Sequence, residues 1–294
     1  MPPMLVREIR ARTLLSPVKG ADDWFGLRYV MNLYRGCQHQ CIYCDTRSEC
    51  YGIDGFDREV LVKANAIELL ERELARKRRR AVVGLGSMND AYMPLERTCG
   101  LTRRALELLA RYRFPVHVLT KSDLVVRDRA LLLEIGRVFA AVSFTITTPD
   151  DDLCRRLEPG APPASARLSA MRALAEAGIR TGVVIMPVLP FIEDDEQSVR
   201  EIVDRAADQG ARYAIAAFGM TLRDRQREHY YGELDRLFPG LRSRYQRTFR
   251  ERYLASARRP RALQAVFEKT CAARGVTPRF EGWVPEEPGQ LRLF

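Results

Sequence analysis

Residues 36–44 read GCQHQCIYC, with three cysteines inside eight positions. Cysteine thiolates are soft metal ligands, and their number separates two chemistries. Four of them closing a tetrahedron make a structural zinc site, whereas three on a [4Fe–4S] cube leave one iron open to a ligand that is not protein. The spacing C-x3-C-x2-C at Cys37, Cys41 and Cys44 supplies three thiolates and no fourth within the loop. The alternative is a zinc knuckle completed by His39 or Cys50. His39 lies between the first two cysteines, and Cys50 follows at a spacing uncommon for a knuckle. Cys50, Cys99, Cys154 and Cys271 have no motif around them and read as ordinary thiols.

A reactive loop of this kind needs a scaffold, and the hydrophobic pattern supplies one. From about residue 29 to 237, short β-branched or apolar runs alternate with longer helical patterns, as in a parallel βα sheet. Strands are expected at 28–34, 81–86, 115–120, 141–147, 181–187 and 212–218. Helices are expected at 63–79, 98–112, 128–138, 165–177, 195–208 and 223–236. Six such units give an α/β fold, a partial (β/α)6 TIM-like barrel, because the closed eight-stranded form takes about 250 residues. The cysteines follow the first expected strand directly, at the barrel end where the loops after the strands build active sites. The organisation reads as an N-terminal extension (1–27), the barrel (28–238), an arginine-rich helical extension (239–275) and a tail (276–294). In the extension, Leu241, Tyr245, Phe249 and Tyr253 recur every four residues, a stripe expected to pack on the barrel while arginines face outward.

The chain has 294 residues, 46% of them hydrophobic, enough for one large α/β core. The opening twenty residues carry charges where a signal peptide needs an apolar segment, and no run reaches membrane-spanning length, so a cytoplasmic protein without a membrane partner is expected. Seven cysteines, an odd number with three crowded in one loop, suit a reducing compartment better than a disulfide framework. The net charge is +10, and nine arginines against the single acid Glu251 fall between Arg236 and Arg261. Such a localised basic face is a footprint for a polyanion. A plain solvated surface would have the same composition; as a polyanion site, it makes DNA the candidate partner, through Arg242, Arg244, Arg247 and Arg250.

The loop resembles that of the radical S-adenosylmethionine (SAM) superfamily, which has this spacing and an aromatic residue, here Tyr43, before the third cysteine. The resemblance implies a [4Fe–4S] cluster on Cys37, Cys41 and Cys44, with the amino and carboxylate groups of SAM on the fourth iron. One electron, from a donor such as flavodoxin or ferredoxin, would then split the sulfonium to give a 5′-deoxyadenosyl radical that takes a hydrogen atom from the substrate. The stretches NLYRGCQHQCIYC, GSMNDAYMPLE, VHVLTKSDLVVRD and LEPGAPPASARL are further similar to the spore photoproduct lyase-like group, the DNA repair photolyase relatives. By that similarity Lys121 would bind the SAM carboxylate, Ser143 and Thr145 its amino acid or ribose, and Tyr43 would stack on or lie beside the adenine through its backbone. Ser87 and Asn89 join this cofactor set, while Asp90, Tyr92 and Glu96 in the same loop carry no assigned role.

Two positions depart from the lyase pattern. Where the lyase has a cysteine that returns a hydrogen atom to the product radical, this chain has Ser87, whose O–H bond is too strong for that task. Where it has a tyrosine after the third cluster cysteine, this chain has Asp45. Cys99 or Cys154 would take over as donor only if folding brought one of them to the pocket. The expected function is therefore a radical SAM enzyme of DNA repair or modification that does not run the standard lyase reaction. The alternatives are a radical SAM enzyme acting on a peptide or small metabolite, and a non-enzymatic, metal-stabilised nucleic-acid-binding protein. The pentapeptide QLRLF resembles the bacterial sliding-clamp binding motif, with Gln290, Leu291, Leu293 and Phe294 as its contacts.

Overall fold

The computed structural model describes residues 4–20 and 22–285. Six parallel strands, Tyr29–Met31, Val83–Leu85, Val116–Thr120, Ala140–Thr145, Arg180–Ile185 and Tyr213–Ala216, pair in chain order. Leu15–Pro17 adds an antiparallel edge beside the first of them. The intervening helices are Ala66–Ala75, Leu101–Arg111, Arg129–Gly136, Ala164–Glu176, Glu196–Asp208 and Asp224–Leu237. This is the partial (β/α)6 barrel that the alternation predicts.

Each strand places alternate residues on opposite faces. One set, including Val83, Val116, Val118, Val142, Phe144, Val183 and Ile185, packs in the layer beneath the helices. The other set, including Leu119, Val184, Tyr213 and Ile215, fills the barrel interior with Phe25, Leu27 and Phe280. Glycines make room for the large members of that inner set. A Cβ on Gly182 would lie 2.3 Å from the Tyr213 ring, and one on Gly84 would lie 2.4 Å from Leu27.

The flanking segments take part in the barrel. Leu5–Ile9 pairs in parallel with Glu59–Lys63, which also pairs with Tyr34–Arg35 just before the cysteine loop. Phe25 stacks on His117 with ring centroids 4.2 Å apart, and Phe280 meets His117 and Tyr213 edge-on. Thr277 hydrogen-bonds along the sixth strand, with its carbonyl 2.9 Å from Ala214 N. Residues from both sides of the barrel sequence therefore close its floor, because the open interior of a six-stranded barrel must be sealed with apolar side chains.

The aromatic stripe of the extension divides. Helix Leu241–Phe249 buries Tyr245 and Phe249 against the barrel as expected, but the chain leaves the helix at Arg250, whose φ is 48°. Tyr253 is consequently off the helix and 50% exposed. The chain then forms the strand Leu254–Ser256, antiparallel to Gly219–Thr221, and a last helix, Pro260–Arg274, that packs on Glu196–Asp208. No helix among the described residues is long and apolar enough to cross a membrane.

Candidate active site

The loops at the C-terminal ends of the six strands surround a cavity of about 550 Å3. Cys37, Cys41 and Cys44 line it, together with Tyr43, Ser87, Asn89, Lys121 and Thr145. Ser143 does not reach it. Its hydroxyl is engaged one layer deeper, 2.8 Å from His117 Nε2 and 2.7 Å from the Tyr213 hydroxyl. Residues 143 and 145 share a face of the strand, and only the one nearer its C-terminal end meets the cavity. Burial lowers the His117 imidazole to about 3, so this floor network is neutral.

Asp90 organises the cavity wall. Its carboxylate accepts hydrogen bonds from Tyr92 N at 2.8 Å, the Thr120 hydroxyl at 2.7 Å and Lys121 N at 2.6 Å. His39 Nδ1 lies 3.4 Å away. One carboxylate thus links the cysteine loop, the second-strand loop and the end of the third strand. Tyr92 and Glu96 from the same loop lie outside the cavity lining. Glu96 is a buried hub that accepts from the Tyr34 hydroxyl at 2.5 Å and Arg127 Nη2 at 2.8 Å. Asn89 donates to the Tyr34 carbonyl at 2.6 Å, so its amide braces the strand before the cysteines. Ser87 approaches Asn32 Oδ1 at 3.5 Å.

Lys121 is turned toward the cysteine loop, with Nζ 5.8 Å from the Tyr43 ring centroid and 3.9 Å from Glu158 Oε1. Glu158 is fully buried and also accepts from the Tyr43 hydroxyl and Arg167. Burial works to raise its carboxyl, but the Arg167 and Lys121 charges outweigh that and keep it below the usual carboxylate range. Asp45, after the third cysteine, is fixed in the wall by the Thr221 hydroxyl at 2.6 Å and the Tyr51 hydroxyl at 2.9 Å.

The three thiols fit an iron–sulfur cube better than a single ion. Burial, then the charge of Asp90, pushes the Cys37 thiol up to about 12, and burial raises Cys41 well above its ordinary value. Such thiols ionise only when a cation displaces their protons, so metal loading and deprotonation are coupled. Among the described residues no three Cys, His, Asp or Glu groups converge as one metal ion requires. On a cube each cysteine holds a different iron, and convergence is not needed. Of the two expected fourth ligands for zinc, Cys50 is exposed and lies 3.2 Å from Arg223 Nη1, whereas His39 turns Nδ1 to Asp90 and keeps Nε2 buried without a partner at the cavity, so the geometry removes Cys50 and not His39.

The chain matches the radical SAM superfamily model over residues 31–221. It belongs to that superfamily. This radical SAM enzyme is 33% identical over 250 residues to the uncharacterized protein Rv2578c of Mycobacterium tuberculosis, covering 83% of this chain and 73% of that protein. It is also 33% identical over 196 residues to the uncharacterized protein MJ0683 of Methanocaldococcus jannaschii, covering 66% of this chain and 71% of that one. A spore photoproduct lyase double mutant solved with bound AdoMet and dinucleoside spore photoproduct superposes with a TM-score of 0.67, covering 94% of this chain and 82% of that one. At 18% identity that likeness concerns the fold.

Sequence reasoning gives Glu158 and Arg167 no role, although both stand in the stretch LEPGAPPASARL. A glutamate ahead of Pro-Gly and an arginine nine residues on reveal no contact until the turn between them is placed. It also passes over Glu193, which is buried, accepts from Leu189 N at 3.1 Å and keeps Oε1 without a partner. Burial raises its carboxyl to about 8, against about 4.3 in an unfolded chain. Unfolding therefore releases a proton between those values. The stabilisation is complete below about pH 4.3 and is lost as pH rises toward 8. Glu193→Gln should flatten this fall. Urea midpoints of wild type and variant from pH 5 to 9, taken anaerobically, should diverge steadily in the variant's favour up to about pH 8; parallel profiles would show that Glu193 is ionised in the folded state.

Proposed function

We propose that this radical SAM enzyme holds a [4Fe–4S] cluster on Cys37, Cys41 and Cys44 and acts on nucleic acid. The cofactor pair supplies reductive cleavage of the SAM sulfonium, giving a 5′-deoxyadenosyl radical that abstracts hydrogen from the substrate. The chain's own residues bind and orient. Lys121 offers a compact cation for the SAM carboxylate, Thr145 a hydroxyl in the same wall, and Tyr43 its backbone beside the adenine position. Asp90 holds Lys121 by its backbone, so the ammonium is presented from a fixed strand end. An external one-electron donor such as a flavodoxin or ferredoxin is required.

The observation that carries the nucleic-acid reading is the construction of the cavity rim. Leu254, Ala255 and Ser256 form part of the wall, on the strand that continues from the arginine-rich helix. Leu254 is 58% exposed beside the half-exposed Tyr253. Arg236, Arg242, Arg258 and Arg259 are paired with Glu233, Asp235, Asp194 and Glu196. Arg244, Arg247, Arg250, Arg252 and Arg261 have no acidic partner among the described residues, and they are exposed. Of the four expected DNA contacts, Arg242 is thus the one already paired. Exposed arginines without an acidic partner, on the segment that leads through Arg252 and Tyr253 into the cavity wall at Leu254, suit phosphate contacts.

A reaction other than that of spore photoproduct lyase is supported by the donor inventory. Cys37, Cys41 and Cys44 are the cysteines lining the cavity among the described residues, and all three are committed to the cluster. Ser87 stands in the lining, while Cys99 and Cys154 do not. Cys154 is buried with Sγ 3.3 Å from Arg167 Nη2.

Anaerobic turnover with dithionite, SAM and deuterated oligonucleotides should carry deuterium into 5′-deoxyadenosine. Oligonucleotide binding should fall steeply with salt, and replacing Arg244, Arg247 and Arg250 with glutamine should reduce the log–log slope by about 0.9 for each phosphate no longer neutralised. SAM cleavage without label transfer from any oligonucleotide, with a salt-insensitive slope, would favour a peptide or small metabolite instead.

The QLRLF motif lies outside the described residues, and we propose from its sequence that Gln290, Leu291, Leu293 and Phe294 engage a bacterial sliding clamp. Deleting 290–294 should leave SAM cleavage unchanged and abolish co-elution with purified clamp; retained co-elution would contradict the assignment.

A further inference from the structure

We propose that Glu158 and Arg167 are positioning residues that hold the cysteine loop and Lys121 in register for SAM. The inference rests on the cofactor reading of the cavity and assigns the part of the chain that keeps that site in shape.

The segment after the fourth barrel strand runs alongside the cysteine loop and is tied to it twice through the backbone. Ile42 N donates to the Leu157 carbonyl at 2.9 Å, and Gly160 N donates to the His39 carbonyl at 3.0 Å. The approach is so close that a Cβ on Gly160 would fall 1.9 Å from the Gln38 carbonyl oxygen. Between these ties Glu158 ends the helix Asp151–Leu157 and points its carboxylate into the same contact. One oxygen accepts from the Tyr43 hydroxyl and faces Lys121 Nζ at 3.9 Å. The other accepts from Arg167.

Arg167, on the helix Ala164–Glu176, is fully buried; its Nη2 also lies 3.3 Å from Cys154 Sγ, and Nη1 and Nε go to backbone. Nη1 reaches the Thr145 carbonyl at 2.9 Å, and Nε reaches the Pro162 carbonyl at 2.8 Å. Thr145 is the last residue of the fourth strand and lines the cavity. A single buried carboxylate therefore joins the residue before the third cysteine, the cation at the end of the third strand and, through a guanidinium fork, the end of the fourth strand. Lysine at position 167 could not reproduce this, because the planar fork serves a carboxylate and two carbonyls at once.

A buried ion pair contributes little stability compared with an apolar pair of similar size, so stability alone is a poor reason for this one. Its contacts instead fall on groups that must hold still. The Lys121 ammonium lies beyond hydrogen-bond distance from Glu158, near enough to be aimed and far enough for its N–H groups to stay free for an anionic ligand. Outer-layer residues of this type commonly change ligand affinity by about tenfold or more when altered.

The test uses the anaerobically reconstituted full chain and two variants, Glu158→Gln and Tyr43→Phe. Both keep the cluster ligands and should take up iron and sulfide as wild type does. Glu158→Gln should weaken SAM binding by about tenfold, reduce the change in the reduced cluster's EPR spectrum on SAM addition, and speed alkylation of the loop thiols in the apoprotein. Tyr43→Phe, which removes only the hydroxyl tie, should shift the same readouts in the same direction by a smaller factor. A purely structural role would lower the melting temperature and leave SAM affinity and the EPR response of the folded protein untouched. If Glu158→Gln fails to fold, Tyr43→Phe decides, and wild-type values in it overturn the proposal. A wild-type protein that takes up no cluster overturns the cofactor reading and the positioning role with it; a loaded wild type with unchanged variants overturns the positioning role alone.

Discussion

The structure depends on keeping the thiols of one loop at the mouth of a barrel, Cys37 and Cys41 buried and Cys44 half-buried, in a form that metal can claim. Burial holds Cys37 and Cys41 protonated, and the backbone N–H groups of Asp90 and His39 at Cys37 and the charge of Lys121 near Cys41 offset it only in part. The surrounding protein does not solve this by placing a cation against every sulfur. It fixes the backbone of the loop, so that binding energy from the metal goes into removing protons and not into ordering chain. Gln40 illustrates the point: in the left-handed region at φ 50°, it donates to the Cys37 carbonyl at 2.8 Å and the Phe56 carbonyl at 3.0 Å, tying the loop to the turn before the strand Glu59–Lys63.

The two ends of the barrel answer different demands. At the floor, His117, Ser143 and Tyr213 satisfy one another beneath aromatic rings from Phe25 and Phe280, which makes the interior dry and neutral. At the top, Asp90, Lys121, Glu158 and Arg167 concentrate charge where a zwitterionic ligand is expected. The boundary passes along the fourth strand between Ser143 and Thr145, two residues of the same face with opposite duties. That separation suits radical chemistry, since Met186, Val184 and Leu119 give the cavity an apolar inner wall.

Much of this is legible in the sequence for physical reasons. The six strands and their helices follow from apolar periodicity, and the cysteine spacing identifies the loop without any structure. Other signals are present but local: Asp150 caps Asp151–Leu157 by accepting from Asp152 N at 2.8 Å, and Pro260 opens the last helix. The alternation EVLVK at 59–63 is a strand pattern, yet its partner Leu5–Ile9 lies more than fifty residues away, and no local rule supplies such a pairing. Ser143 and Thr145 share the right face of the strand, but depth along a barrel axis is invisible to alternation. Glu158 and Arg167 are hidden for a related reason, because buried charge pairs reveal themselves only when the partner is in place. The extension's stripe reads true for Tyr245 and Phe249 and not for Tyr253, since nothing in the sequence announces that the helix stops at a left-handed Arg250.

The central claim is that the three cysteines carry a cube whose remaining iron accepts SAM. Hyperfine spectroscopy of the anaerobically reconstituted, dithionite-reduced protein with SAM labelled at its carboxylate and amino group tests it directly. The account predicts about four irons and four sulfides per chain, with magnetic coupling of both labels to the cluster. A protein that binds zinc instead, or a reduced cluster with no coupling to either label, would contradict it.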